Sequence, residues 1–191
     1  RMLAYSSVSH AGFLLMPVAA ANELGGRALL YYLVAYSAMS VGAFGVVAAR
    51  ERELGVPVTF DNMAGFGWER PFYGIAMAVF MFGFIGLPPA GLFLGKVLAF
   101  GAAIERGWWW LAIAGVAATV VSIYYYLGIV RAMFMQLPQP RIAPAGGSPP
   151  RDPVLVATAA AALLVTVGSL VAADPLLEWA RDAAETVRFP Y

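Results

Sequence analysis

Apolar residues along the chain form long blocks separated by short polar stretches. A helix needs about 20 mostly apolar residues to cross the hydrocarbon core of a membrane, and five blocks reach that length. They predict spanning helices over residues 3–21, 28–49, 72–104, 108–130 and 154–173. None shows the roughly ten-residue alternation that marks a transmembrane β-strand. The pattern therefore predicts an all-α integral membrane protein with a bundle of about five transmembrane helices.

The third block is too long for one straight helix. Its 33 residues would extend about 50 Å, whereas the hydrocarbon core is about 30 Å thick. Gly86, Pro88, Pro89 and Gly91 lie in its middle, where prolines remove backbone donors and glycines permit non-helical angles. We predict two half-helices joined by an extended break, which survives at membrane depth only when it is buried in protein or lines a cavity. A proline kink in an ordinary span is the alternative.

Apart from the break and Lys96 in the third block, charges and turn formers concentrate in the connecting stretches and the tail. Residues 22–27 contain Gly25 and Gly26, residues 50–70 carry several charges, and residues 136–153 are rich in Pro, Gly and Ser. The fifth block is nearly pure Ala, Val and Leu, which predicts a lipid-facing or peripheral span. We therefore predict a five-span bundle over residues 1–173, followed by an amphipathic tail over residues 174–191 that lies along the outer surface.

Arginine counts predict the orientation of the bundle. If the spans alternate, one face receives seven arginines and the other receives four. The first set is Arg1, Arg50, Arg52, Arg70, Arg131, Arg141 and Arg151, and the second is Arg27, Arg106, Arg181 and Arg188. Because Lys and Arg are enriched in cytoplasmic loops, the first face is predicted to be cytoplasmic. The tryptophans at positions 108–110 would then lie at the outer interface.

The composition excludes several classes of function. Hydrophobic residues make up 61% of the 191 residues and charged residues 12%, which a soluble domain of this size could not cover. A net charge of +1 provides no basic surface for nucleic acid. The chain has no cysteine and one histidine, so we expect neither an iron–sulfur cluster nor a metal or haem held by this chain alone. It begins with Arg1 rather than Met, which suggests a piece of a longer protein.

Lys96 is the only lysine and the only charge that the pattern places inside the membrane. An ionisable residue at that depth costs several kcal/mol and indicates function. Desolvation disfavours the charged form of lysine, which would let it gain and lose a proton. One alternative is that Lys96 has no function and extends its side chain to the membrane interface. A second is that Lys96 binds an anion at the start of a half-helix.

His10 is the second candidate for proton transfer, since histidine titrates near neutrality. A hydrogen-bonded packing role is an equally good interpretation. Polar residues on the first, second and fourth spans could extend a proton pathway, although most are expected to be interhelical hydrogen bonds. The pathway candidates are Tyr5, Ser6, Ser7, Tyr36, Ser40, Ser122 and Tyr124.

Two motifs resemble signatures of the antiporter-like membrane subunits of respiratory complex I. RMLAYSSVSHAG at residues 1–12 resembles RLLAYSSxxHxG, and IGLPPAGLFLGK at residues 85–96 resembles GIPPTAGFxGK. YYYL at residues 124–127, followed by Arg131, is similar to the subunit N branch of that family. Leu87 in place of Ile is a trivial departure, whereas Ala90 in place of Thr removes a hydroxyl near the break.

The resemblance implies spans ten to fourteen of a subunit of about fourteen spans, within an inverted-repeat fold. Lys96 would be the lysine of the broken twelfth helix, and His10 the histidine of the tenth. It implies proton translocation in the bacterial inner membrane, among other membrane subunits of complex I. NADH, FMN, iron–sulfur clusters and quinone would be bound by other subunits. A related cation/proton antiporter or hydrogenase subunit, a structural scaffold and an anion carrier remain alternatives.

Overall fold

The computed structural model describes residues 1–137 and 152–186, and the regular structure of these residues is helical. Four helices are long and apolar enough to cross a membrane, namely α1 (Met2–Ala20), α2 (Glu23–Leu54), α6 (Trp109–Met135) and α7 (Pro153–Val171). The third apolar block forms two shorter helices, α4 (Pro71–Ile85) and α5 (Leu92–Glu105). The short α3 (Phe66–Glu69) precedes them, and α8 (Ala173–Thr186) follows the last span. The prediction of an all-α membrane bundle with a broken third span is confirmed.

The central helix is α2, which packs against α1, α4, α5, α7 and α8. It is longer than the predicted span, because the side chain of Asn22 caps its start by accepting a 2.8 Å hydrogen bond from the Gly25 N–H. The assignment of Gly25 and Gly26 to a loop is therefore wrong. At the other end the helix continues through charged residues to Gly55, where φ is +69°. Charges at a helix end lie outside the apolar layer, so the helix does not need to stop where the apolar block does.

Contacts between loops divide the bundle into two ends, as alternating spans require. At one end Arg106 donates hydrogen bonds to the carbonyls of Ala20 and Ala21 at 2.6 and 2.9 Å. At the other end Arg52 pairs with Asp152 at 2.5 Å. We call these the Arg106 end and the Arg52 end. Which end faces the cytoplasm stays a prediction. Arg141, Arg151 and Arg188 lie outside the described residues, as do most of the loop over 136–153 and residues 187–191 of the tail.

The last span is less peripheral than its composition predicted. One face of α7 is buried, chiefly against α2, and consists of Ala159, Ala162, Thr166 and Ser169. Small residues allow this close approach, and a Cβ at Gly42 of α2 would overlap with Ala162. The opposite face, with Leu164 and Val171, is exposed. The tail forms the predicted helix α8, which packs on α2 with Ala180 buried.

Candidate functional site

The third span is interrupted by a true break and not by a bent helix. Gly86 follows α4 with φ +92°, and helical structure resumes only at Leu92. Three hydrogen bonds close α4. The Leu87 N–H donates to the Phe82 carbonyl at 3.0 Å, and the Gly86 N–H donates to the carbonyls of Gly83 and Phe82 at 2.8 and 3.2 Å. This is the Schellman arrangement that ends a helix at a glycine. It leaves the carbonyls of Phe84 and Ile85 directed out of the end of α4.

The side chain of Lys96 satisfies these two carbonyls. Its Nζ donates to the carbonyl oxygens of Phe84 and Ile85, each at 2.9 Å. The side chain is only 4% exposed, and it reaches back from α5 to α4 instead of snorkelling towards the Arg106 end. The negative end of the α4 dipole stabilises its charge. Within residues 1–137 and 152–184, no ion pair joins Lys96 to an acidic side chain.

The remaining neighbours of Lys96 come from α1 and α6. Its Nζ lies 3.5 Å from Thr119 Oγ1 and 4.6 Å from the centre of the Phe13 ring. Ser122, one turn further along α6, donates to the Thr119 carbonyl at 2.6 Å. The ammonium group is therefore held by neutral groups, an arrangement that tolerates both the charged and the uncharged lysine.

His10 lies in a second polar cluster and is 1% exposed. Its Nδ1 is 2.7 Å from the hydroxyl of Tyr32, and its Nε2 is 3.0 Å from the hydroxyl of Tyr126. The Tyr126 hydroxyl also shares a hydrogen bond with Ser6. Hydrogen bonds thus connect four side chains in series, the first and third of which lie on α1, the second on α6 and the fourth on α2. We call this series the histidine chain: Ser6, Tyr126, His10 and Tyr32.

Aromatic side chains separate the histidine chain from Lys96. The Phe84 ring lies 5.2 Å from the His10 ring and 5.5 Å from the Tyr126 ring, centre to centre. The Phe13 ring, which the Lys96 ammonium contacts, lies 6.0 Å from His10. The two polar sites are therefore adjacent, and Phe13 and Phe84 contact both of them.

Some of the predicted pathway residues lie at the histidine chain or beside Lys96, and others lie away from both sites. Ser6 belongs to the histidine chain, Tyr36 stacks on His10 at 4.8 Å, and Ser122 lies beside the lysine site. Ser7 instead donates to the Leu3 carbonyl of its own helix at 3.2 Å. Ser40 is half-buried on α2.

Two of the predicted pathway tyrosines point away from both sites. Tyr5 and Tyr124 are 75% and 87% exposed on the surface of the chain. Their helical positions account for this, because residues one or two places apart on a helix face different directions. Neither tyrosine contributes to the interior of the described bundle.

Tyr126 is the functional candidate that sequence reasoning missed. The signal was present in the helical period of α6, where Thr119, Ser122 and Tyr126 recur at i, i+3 and i+7 and so share one face. Tyr124 lies about 160° away from Tyr126 at 100° per residue. Tyr32 is not among the pathway candidates named from the sequence, because its pairing with His10 depends on how α1 and α2 pack.

The family model described as the transmembrane part of NADH:quinone oxidoreductase and Mrp antiporter proteins matches residues 1–122. The chain belongs to this family. The matched range includes His10, Lys96 and the break between α4 and α5. The two motifs recognised in the sequence therefore fall within the family's common region, and α7 and α8 lie beyond it.

Individual relatives point to one branch of the family. NADH-quinone oxidoreductase subunit N of Salinibacter ruber is 39% identical over 173 residues, which cover 90% of this chain and 33% of that protein. Subunit N of Paramagnetospirillum magneticum is 38% identical over 190 residues, covering 100% of this chain and 38% of that protein. The chain thus spans about a third of the length of the curated relatives it matches.

Solved structures agree with this assignment of the fold. A chain of respiratory complex I from Thermus thermophilus with bound aureothin superimposes with a TM-score of 0.77 at 30% identity, covering 93% of this chain and 39% of that one. A chain of the Mrp complex from a Dietzia species superimposes with a TM-score of 0.82 at 21% identity, covering 95% and 41%. The second likeness shows the fold alone.

Proposed function

We propose that this chain forms the C-terminal, proton-translocating part of a subunit N in a bacterial NADH:quinone oxidoreductase. The observation that carries the proposal is the position of Lys96, a buried ammonium group held by two backbone carbonyls at a helix break. The family and the similarity to subunit N support the choice of complex. The chain would reside in the inner membrane, beside neighbouring antiporter-like subunits and other membrane subunits of the complex.

In this proposal Lys96 alternates between ammonium and amine. The carbonyls of Phe84 and Ile85 hold the charged form, and burial disfavours it, so a small change in the surroundings shifts the balance. The histidine chain holds and passes a proton on its own side of Phe13 and Phe84, since its hydroxyl and imidazole groups each donate and accept. Exchange with Lys96 then requires water to enter between the two sites, because a phenyl ring carries no proton. Electron transfer from NADH through FMN and iron–sulfur clusters to quinone would take place on other subunits.

Two substitutions of Lys96 test the role in the complete complex. Arginine keeps its proton at any physiological pH, so Lys96→Arg should abolish proton pumping nearly as completely as Lys96→Ala. The measurement is NADH-driven pumping in inverted membrane vesicles, with assembly checked on a native gel. Full pumping by the arginine variant would rule out proton exchange at Lys96, and normal pumping by the alanine variant would remove it from the mechanism.

A cation/proton antiporter subunit is the second candidate, because the matching family includes Mrp antiporter proteins as well as NADH:quinone oxidoreductase. The same vesicles distinguish the two. A complex I subunit makes proton movement depend on NADH oxidation, whereas an antiporter moves protons in response to an imposed sodium gradient without NADH. Sodium-driven exchange that is lost in Lys96→Ala would favour the antiporter.

A further inference from the structure

The break is hydrogen-bonded to the last span of the bundle. The N–H of Gly91, just before α5, donates to the backbone carbonyl of Thr166 in the middle of α7 at 3.1 Å. A backbone donor without a partner at membrane depth would cost several kcal/mol. Pro88 and Pro89 have no N–H, so the bond from Gly91 is one of the few that the break's backbone can make.

Polar side chains from two helices converge on the same point. Ser169 Oγ donates to the Thr166 carbonyl at 3.0 Å, and the hydroxyl of Tyr31 on α2 donates to the Ser169 carbonyl at 2.7 Å. Thr166 and Tyr31 have no exposed surface, and Ser169 is buried. We call this arrangement the α7 latch: Gly91, Thr166, Ser169 and Tyr31.

The latch has almost no free space. A Cβ at position 91 would overlap with Ser169 Oγ, and it would lie 2.9 Å from Ser169 Cβ and 3.0 Å from the Tyr31 hydroxyl oxygen. Gly91 itself has φ −60°, a value that any residue adopts. The requirement for glycine at this position therefore comes from the approach of α7 and not from the backbone angle.

We propose that α7 is a positioning element for Lys96. The latch fixes the start of α5, and Lys96 follows five residues later on the same helix, within its first two turns. Its acceptors, Phe84 and Ile85, belong to α4 on the other side of the break. The hydrogen bond from Gly91 to α7 therefore sets the distance between the start of α5 and the end of α4, which the Lys96 side chain spans to reach the carbonyls of Phe84 and Ile85. The proposal rests on the proposed function, and it concerns a helix outside the range matched by the family.

A pair of complementary substitutions tests the latch in the complete complex. Gly91→Ala should push α5 away from α7 and lower the rate of NADH-driven pumping per assembled complex by about tenfold, since displacing a reacting group by about 1 Å can lower a rate up to about a hundredfold. Adding Ser169→Gly removes the clashing Cβ and Oγ and should restore most of the pumping. Gly168→Ala is the matched control, because a Cβ there meets nothing within 4 Å, and it should pump normally.

The pumping rate per assembled complex separates positioning from stability. A merely destabilised subunit lowers the amount of complex on a native gel, whereas a displaced Lys96 lowers the pumping rate of the complex that does assemble. Normal pumping by Gly91→Ala, or a double variant no better than Gly91→Ala, would overturn the proposal.

Cysteines at positions 91 and 169 test the contact without relying on pumping. The chain has no other cysteine, and the Cβ separation needs only a small increase to suit a disulfide, which requires about 3.5–4.5 Å. We expect the disulfide to form under mild oxidation, also in a Lys96→Ala background, as read by mass spectrometry. Its absence would contradict the latch, whereas full pumping by Lys96→Arg would contradict the proposed function and leave the contact standing.

Discussion

The carbonyl oxygen of Phe84 lies 2.9 Å from the Lys96 ammonium group, while the ring of the same phenylalanine lies 5.2 Å from His10. Phe84 therefore contacts both polar sites, one through its backbone and the other through its side chain. Because α4 ends at the next residue, a change in how the helix ends alters both contacts together. This places the helix break, and not either titratable residue alone, at the centre of the site.

Gly86 is the residue at which a small substitution should disturb Lys96 most directly. It has φ +92°, and a Cβ there would lie 2.8 Å from Lys96 Cδ. Gly86→Ala should therefore lose pumping and also cost about 1–2 kcal/mol in backbone strain.

Gly107→Ala is the matched control, because Gly107 has φ +76° and open space around its Cβ position. Both variants carry similar strain, but only the first displaces the lysine. Pumping per assembled complex in vesicles should fall in Gly86→Ala alone, and equal loss in the two variants would show that strain explains the effect.

Removal of the Tyr126 hydroxyl should interrupt the histidine chain. Tyr126→Phe keeps the ring packed on Phe84 but takes away the group that joins Ser6 to His10. We expect pumping to fall roughly tenfold or more, since a positioned proton donor or acceptor contributes about 10²–10⁴-fold to a step it limits. The readout is the initial rate of vesicle acidification.

Tyr124→Phe provides the comparison for this experiment. It removes the same hydroxyl from the same helix, two residues away, at an exposed position. We expect it to pump like the unmodified complex. Equal losses of pumping in Tyr124→Phe and Tyr126→Phe would contradict the rotation of α6 that directs Tyr126 towards His10.

Arg50 should contribute to stability and not to proton transfer. It is buried at the Arg52 end, where it donates to the Asn62 carbonyl at 2.7 Å and pairs with Glu69 at 3.0 Å. Arg50→Ala removes these hydrogen bonds, and leaving a buried partner unsatisfied costs about 1–3 kcal/mol. The full penalty of an unpaired buried charge does not apply, because the Glu69 side chain is 24% exposed.

Arg52→Ala is the control for that loss. Its pair with Asp152 is exposed on the arginine side, and surface pairs contribute about 0–1 kcal/mol. Thermal denaturation of the detergent-purified complex, followed by loss of this subunit, should show a large decrease for position 50 and a small one for position 52. Similar decreases would contradict a buried role for Arg50.

Cysteine labelling tests the predicted orientation. Seven arginines against four predict that the Arg52 end faces the cytoplasm, so a cysteine at position 148 should react only from the cytoplasmic side. That position lies outside the described residues. A cysteine at Gly107, in open space at the Arg106 end, should react only from outside. Labelling of position 148 in intact cells by an impermeant reagent would reverse the assignment.

Much of the candidate site is readable from local sequence. Gly86 and the two prolines predict the break because their effects on the backbone are intrinsic to those residues. Lys96 stands out because a charge inside an apolar block is costly wherever its neighbours are. His10 is recognised from residue type alone. The two motifs that contain His10 and Lys96 carry the family resemblance, and both fall within residues 1–122.

The sequence did not predict where α2 begins and ends, nor that α7 contacts the break. Hydropathy marks where a helix enters lipid, but Asn22 and Gly55 end α2 through hydrogen bonds and backbone angle, well beyond the apolar block. The fifth block is nearly pure Ala, Val and Leu, yet its Thr166 carbonyl accepts the hydrogen bond from Gly91 at the break. A backbone carbonyl is present at every residue, so no sequence pattern indicates which one is used.

The sequence by itself determined the membrane class, the number of spans, the break and the position of Lys96 within the apolar layer, because these follow from the apolar length and the intrinsic chemistry of single residues. Only the tertiary structure decided that Lys96 turns back to Phe84 and Ile85, that Tyr126 and not Tyr124 meets His10, and that α7 contacts Gly91. These contacts join residues far apart in the chain. They depend on the rotation of each helix about its axis, which interhelical packing sets and hydropathy does not record.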